Sequence, residues 1–353
     1  MALQLACAAL VLLLPLGVQL GLRPSTVPRI RALALVGLVA AGASLAADIA
    51  TGLIADLAAA MLDACFAGAI TATVALVVAQ RVGTAGGVAF ALSWTILVYQ
   101  PVASAVLDGV PSLVQVAFGA IDYGGVLASH VATASALLAV SLLPIARSRD
   151  RALSAGRQPL GTGESISWRR GLLGASLVML SGTGWLLGVE RVLTVASGRT
   201  LANALAGMAL AATLWIIVEK IAVDRRSPDG LIAGALLGWG AIGAGAPYLS
   251  PFALIAVVAA GTAAAVGAVA KGRQRGTGVL RWGAASILVA VVVGSVVTTL
   301  LADRFGLAEM ATITFTVEQL TATIVVALVA GVGGIACGLL AWGMRQWAIP
   351  DSN

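Results

Sequence analysis

The sequence has little charge, a single histidine and three cysteines: one residue in ten is Asp, Glu, Lys or Arg, against about a quarter in an ordinary soluble domain. That scarcity excludes a water-soluble globule. Cys7, Cys65 and Cys337 each stand alone in an apolar run, which excludes a disulfide or zinc framework and reads as small core side chains. Gly-rich text at 239–245 lacks the strand-to-helix setting and the Lys-Ser/Thr of a phosphate loop, so close helix packing is the better reading and no cofactor is expected. What is abundant is apolar residues, 60% of the chain, with a mean hydropathy of +1.02. The composition is that of a polytopic all-α membrane protein.

Runs long enough to span a bilayer fall at 2–22, 33–53, 57–80, 86–107, 124–145, 171–189, 200–221, 230–247, 251–270, 279–302 and 315–343. Between the second and third runs only Asp48 and Asp56 interrupt the apolar text. Leu5-Ala6-Cys7 faintly resembles a lipoprotein cleavage site, but no basic segment precedes it, so the first run is expected to remain as a span. The net charge of +6 would suit an anionic partner, yet its placement argues otherwise. With the amino terminus outside, all but three of the 21 Lys and Arg residues fall in inner connections, the exceptions being Arg191, Arg199 and Arg304. The basic residues therefore set topology, with the carboxyl terminus inside, and nucleic acid drops out as a partner.

The longest hydrophilic stretch, 147–170, separates five runs from six and is expected to be cytoplasmic. Five runs before it put the second half in the opposite orientation, as an inverted 5+5 repeat plus a final helix requires. The whole chain, 1–353, reads as one membrane domain with halves 1–146 and 171–353. Abundant glycine, 42 residues, lets its helices approach closely.

Within this frame the only histidine, His130, follows Asp122 by eight residues. At about 1.5 Å per residue the imidazole lies roughly 12 Å below the helix start, inside a hydrocarbon core about 30 Å thick. A titratable group at that depth is expensive and marks a functional position, facing a water path or the protein interior.

GAIDYGGVLASH (119–130), FAGAITATVALVVAQR (66–81), WTILVYQPVA (94–103) and the hairpin PDGLIAGALLGWGAIGAGAPYLSPFALIAVVAAG (228–261) stand in the order and topology of the ammonium transporter superfamily (Amt, Mep and Rh proteins), which the chain resembles. The resemblance implies eleven helices, an outside amino terminus, a homotrimer with a pore in each subunit, and ammonia or ammonium as substrate. It also implies a pore with two facing histidines, two stacked gate phenylalanines, and an external site where a tryptophan and a serine hold ammonium. On that pattern Phe66 matches the first gate position, Asp122 the helix-five aspartate, His130 the first pore histidine, and Ile287 stands where the second would be. Leu107 replaces the recruiting tryptophan, with Asp108 after it. Gly184-Trp185-Leu-Leu-Gly188-Val189-Glu190-Arg191-Val192 lacks the second gate phenylalanine and the serine. Phe66 is therefore expected above His130 and Ile287 without an aromatic partner.

Plainer readings stand beside these. Asp122 caps its helix, helped by Gly124 and Gly125; His130 hydrogen-bonds a neighbouring helix; Phe66, Trp94, Tyr99 and Trp185 pack or anchor at the interface; Glu219 sits at the inner membrane surface. The expected function is a diverged channel for ammonia in the cell membrane, without covalent chemistry. The alternatives are a non-conducting sensor or membrane partner subunit, and a channel for another small neutral solute. About ten residues follow the last run, so control through a long carboxyl-terminal tail is not expected.

Overall fold

The computed structural model describes residues 1–21, 30–50, 57–108, 111–143, 166–224, 226–276, 278–304, 306–310 and 312–347. Every expected run is a helix: α1 (Ala2–Leu20), α2 (Ile30–Ala50), α3 (Leu57–Val82), α4 (Thr84–Leu107), α5 (Leu127–Val140), α6 (Trp168–Val189), α7 (Ser197–Val223), α8 (Pro228–Gly243), α9 (Pro251–Gln274), α10 (Val279–Leu301) and α11 (Thr314–Trp347). Eight of them carry a span-length apolar window, and α2, α5 and α8 complete the eleven. The uncertain boundary between the second and third runs falls after Ala50. Residues 147–165 of the hydrophilic connection, and the side chains of Asp48 and Asp56, lie outside the described residues; Trp168–Arg170 open α6.

Local chemistry sets the ends. Ser167 and Ser250 cap α6 and α9 by accepting from Arg170 N and Ala253 N, and Pro251 takes the first helical position, where a missing N–H costs nothing. Two helices contain a widened π-helical turn. In α4 it covers Thr95–Tyr99, just before Pro101, whose ring cannot accept the normal α-helical approach of the Leu97 carbonyl. In α5 it covers Leu127–Val131 and contains His130. Such turns concentrate at functional positions.

Successive helices run in alternate directions, so one face of the bundle carries Met1, the ends of α4, α6, α8 and α10, and the starts of α3, α5, α7 and α9. We call it the Met1 face. Helix α8 is central, packing on α6, α7, α9 and α10, and α5 packs on α10 and α11. At the Met1 face the two halves meet backbone to backbone: Tyr123 N donates to Ala244 O (3.1 Å) and Gly124 N to Gly243 O (2.8 Å). Glycine is required there, since a Cβ on Gly124 would lie 2.6 Å from Gly243 O and one on Gly243 would lie 2.2 Å from Val126 Cγ1. Outside this core, α11 exposes Leu328 and Val332, an apolar surface suited to lipid or another protein.

At the opposite face Glu219, expected at the membrane surface, is buried. Its Oε2 accepts from Ser227 N (3.1 Å) and from the Ser227 hydroxyl, and its Oε1 lies 3.8 Å from Arg273. The carboxylate ties the α7–α8 turn to the end of α9, and Arg273 in turn lies 5.2 Å from the centroid of the Trp282 ring.

Candidate functional site

Asp122 begins the turn before α5 and accepts from Val126 N (2.8 Å) and Leu127 N (2.6 Å), holding the first amides of the helix that carries His130. Within the π-turn, Ser129 Oγ donates to Gly125 O (2.9 Å) and lies 2.9 Å from His130 Nδ1. Because the serine proton is committed to Gly125, the hydroxyl oxygen accepts and Nδ1 carries the imidazole proton. Nε2 is thereby left as a bare acceptor. It is buried and makes no hydrogen bond among the described residues, and the backbone of Leu236 in α8 stands beside the ring.

The imidazole belongs to a line of rings. It meets Trp239 of α8 edge to face (4.7 Å, 82°), Trp239 meets Trp185 of α6 (5.5 Å, 58°), and Trp185 stacks on Phe66 of α3 (4.1 Å, 21°). Trp185 and Trp239 are wholly buried, and Phe66 and His130 are 2% and 3% exposed. Trp185 Nε1 donates to Gly124 O (2.9 Å), whereas Trp239 Nε1 has no partner among the described residues.

This geometry corrects two expectations. Phe66 does have an aromatic partner, and it is Trp185, which is no interface anchor. The reason is steric: Gly188, one turn beyond Trp185, has no Cβ to push the Phe66 ring away, since a Cβ there would lie 3.0 Å from Phe66 Cζ. Ile287 packs half-buried against the cluster of Trp215, Leu237 and Val266. It is Val291, one turn along α10, that converges with His130 on Gly240, where a Cβ would lie 2.9 Å from each. Phe66 and His130 are thus joined by the tryptophans, Asp122 positions His130 through the helix start, and Ile287 belongs to another cluster. Trp239 escaped sequence reasoning because nothing distinguishes one helix tryptophan from its neighbours until the fold aligns them.

Toward the Met1 face the polar groups gather. Glu190 accepts from Thr194 Oγ1 (3.1 Å) and from the Ser197 hydroxyl. Burial, with the Glu190 carboxylate as a hydrogen-bonding neighbour, pushes the Tyr123 phenol above its ordinary pKa. Arg191, in left-handed backbone conformation (φ 59°), turns away from Glu190 and grips Asp63 of α3 with bonds of 2.9 and 3.2 Å. A pocket opens beside this pair, bounded by α2, α3 and α4, with Phe66 and Leu107 in its wall.

No protein-family profile matches the chain. An ammonium transporter of Bacillus subtilis is 26% identical over 199 residues, which cover 56% of this chain and 46% of that protein, so the match spans less than half the relative's length. Among solved structures, Candida albicans Mep2 superposes with a TM-score of 0.74 at 18% identity, covering 95% of this chain and 82% of that one. Saccharomyces cerevisiae Mep2 gives 0.73 at 17% over 99% and 87%, and a sensor Amt protein 0.70 at 17% over 98% and 93%. The chain thus shares the fold of the Mep2 and Amt structures, and part of its sequence is similar to an ammonium transporter.

Proposed function

We propose that the protein conducts neutral ammonia along the line of rings from Phe66 to His130, as an ammonium transporter-like channel. The observation that carries this is the pair of nitrogens without partners among the described residues, His130 Nε2 and Trp239 Nε1, buried on rings that meet edge to face. Buried polar atoms without partners are rare and each calls for an explanation. One nitrogen accepts and the other donates. Ammonia, which donates through N–H and accepts through its lone pair, satisfies both, and an apolar wall of rings disfavours the charged ion. Phe66 with Trp185 acts as the gate, Asp122 holds the His130 helix in place, and Val291, not Ile287, is the α10 residue that converges with His130 on Gly240. The positive-inside pattern supports the Met1 face as external, at the cell membrane, and the resemblance supports a homotrimer with one pore per subunit.

A second reading is supported by the likeness to a sensor Amt protein and by the way the rings fill their own line: the fold responds to ammonium without conducting. One experiment separates the two. Protein in liposomes loaded with a pH dye is exposed to an ammonium salt gradient; conduction alkalinises the lumen faster than empty liposomes do, and His130→Ile returns the rate to the lipid background. A wild-type rate equal to empty liposomes refutes conduction.

A further inference from the structure

Trp239 connects His130 to the rest of the line of rings, and its neighbours in the sequence explain how it is seated. Residues 238–240 read Gly-Trp-Gly, so the largest side chain of α8 stands between two positions that have none. A Cβ on Gly238 would lie 2.5 Å from the Ala211 Cβ of α7, and one on Gly240 would lie 2.9 Å from both His130 Cδ2 and Val291 Cγ2. Helix α8 is therefore pressed against α7 at one position and against α5 and α10 at the other. The indole reaches α6, where Gly182 makes room for it: a Cβ there would lie 3.1 Å from Trp239 Cδ2.

The two tryptophans of the line are held differently. Trp185 is tethered through its indole N–H to Gly124 O, whereas the indole N–H of Trp239 has no partner among the described residues. Trp239 is nonetheless wholly buried, with the imidazole on one side and Trp185 on the other at centroid distances of rings in contact. A solute that travels along the line to His130 Nε2 must displace this indole, and no hydrogen bond to the described residues resists the displacement. Met208 of α7 borders the same seat, its Sδ lying 2.8 Å from the Gly182 Cβ position, and its unbranched side chain can repack around a shifted ring.

We propose that Trp239 is the specificity-determining residue of the conduit, a plug that yields to ammonia and excludes larger amines. The proposal rests on the line of rings being the path of the solute. Ammonia needs the smallest displacement, and its lone pair accepts from the indole N–H as it passes. Methylamine carries a methyl group that must also find room beside the ring, and one extra carbon in a tight apolar site costs about tenfold or more in rate.

The test is flux into dye-loaded liposomes under gradients of ammonium chloride and of methylammonium chloride, read above the rate of empty liposomes. The wild type is expected to pass ammonia over methylamine by about tenfold or more. Trp239→Leu raises ammonia flux several-fold and brings methylamine to a comparable rate, and Trp239→Phe moves both readings less far in the same direction. Trp94→Leu empties an equally buried tryptophan site away from the line and leaves both rates at wild-type values. Cooperative melting in detergent identifies the folded variants, and Trp239→Phe carries the test should Trp239→Leu not fold. A wild type that passes both amines equally, or folded Trp239 variants with wild-type rates and selectivity, overturns the proposal while leaving conduction intact. Trp94→Leu opening the passage as Trp239→Leu does also overturns it. A wild type at the lipid background with flux appearing in a Trp239 variant supports the plug and removes only the conduction reading. No flux in the wild type or in any folded Trp239 variant overturns both.

Discussion

Trp185 lies on Phe66 with 4.1 Å between ring centroids and donates its indole N–H to the Gly124 carbonyl at 2.9 Å. One side chain thus covers the Phe66 ring and ties α6 to the turn that starts α5.

The two tasks separate on substitution. Trp185→Phe keeps a ring over Phe66 but leaves the buried Gly124 carbonyl without its donor, at a cost of about 1–3 kcal/mol. Trp185→Ala also opens a large cavity, for about 3–5 kcal/mol. Thermal unfolding in detergent should rank wild type above Trp185→Phe and that above Trp185→Ala. Equal stability of the two variants would contradict the packing role assigned to the ring.

Glycine at the junction of the halves is irreplaceable where backbone meets backbone. Gly124→Ala would set a methyl 2.6 Å from Gly243 O and 2.4 Å from Leu186, and overpacking of this kind costs about 1–3 kcal/mol. Gly42 and Gly267 have nothing within 4 Å of a built Cβ, so alanine there should leave Tm unchanged or slightly raised. A Gly124→Ala protein as stable as the Gly267→Ala control would refute the close approach.

Glu219 is the buried charge at the opposite face. Glu219→Ala strips the Ser227 amide and hydroxyl of their acceptor and leaves Arg273 without its carboxylate, for a loss of about 3–5 kcal/mol. Glu219→Gln keeps one acceptor oxygen and should fall between. Trypsin nicking after Arg226 offers a local readout, and the turn should be cut fastest in the alanine variant.

For the pore, passage of neutral ammonia predicts flux that rises linearly with ammonia concentration and carries no net charge. Without a tryptophan face, about 0.5–2 kcal/mol of cation attraction is missing at Leu107. Capacitive current recordings on reconstituted membranes should therefore show little or no saturable ammonium current, and His130→Ile should abolish the flux itself. A robust saturable current would mean that the cation crosses as an ion.

Much of this was legible in the residues, for identifiable reasons. Hydropathy located all eleven helices because each must satisfy its own backbone in lipid. The eight-residue step from Asp122 to His130 was readable because capping is local. The stack of Trp185 on Phe66 was not, since it depends on Gly188 in one helix making room for a ring from another. Ile287 was placed opposite His130 by counting along one helix, whereas the helix in between, through Gly240, decides that Val291 converges there. The pocket was invisible for a similar reason: Ser44, Asp63 and Tyr99 come from three runs, and only Pro101 hinted that α4 departs from regular geometry.

The exchange of hydrogen bonds between 123–124 and 243–244 stitches the first half of the chain to the second with main-chain atoms alone. A carrier that exposes its site to each side in turn must let its halves shear past one another. Shear here would break two main-chain hydrogen bonds and drive Val126 into Gly243. The halves consequently behave as one casting, and the proposed passage of ammonia would run through a standing conduit, with side-chain rings as its moving parts.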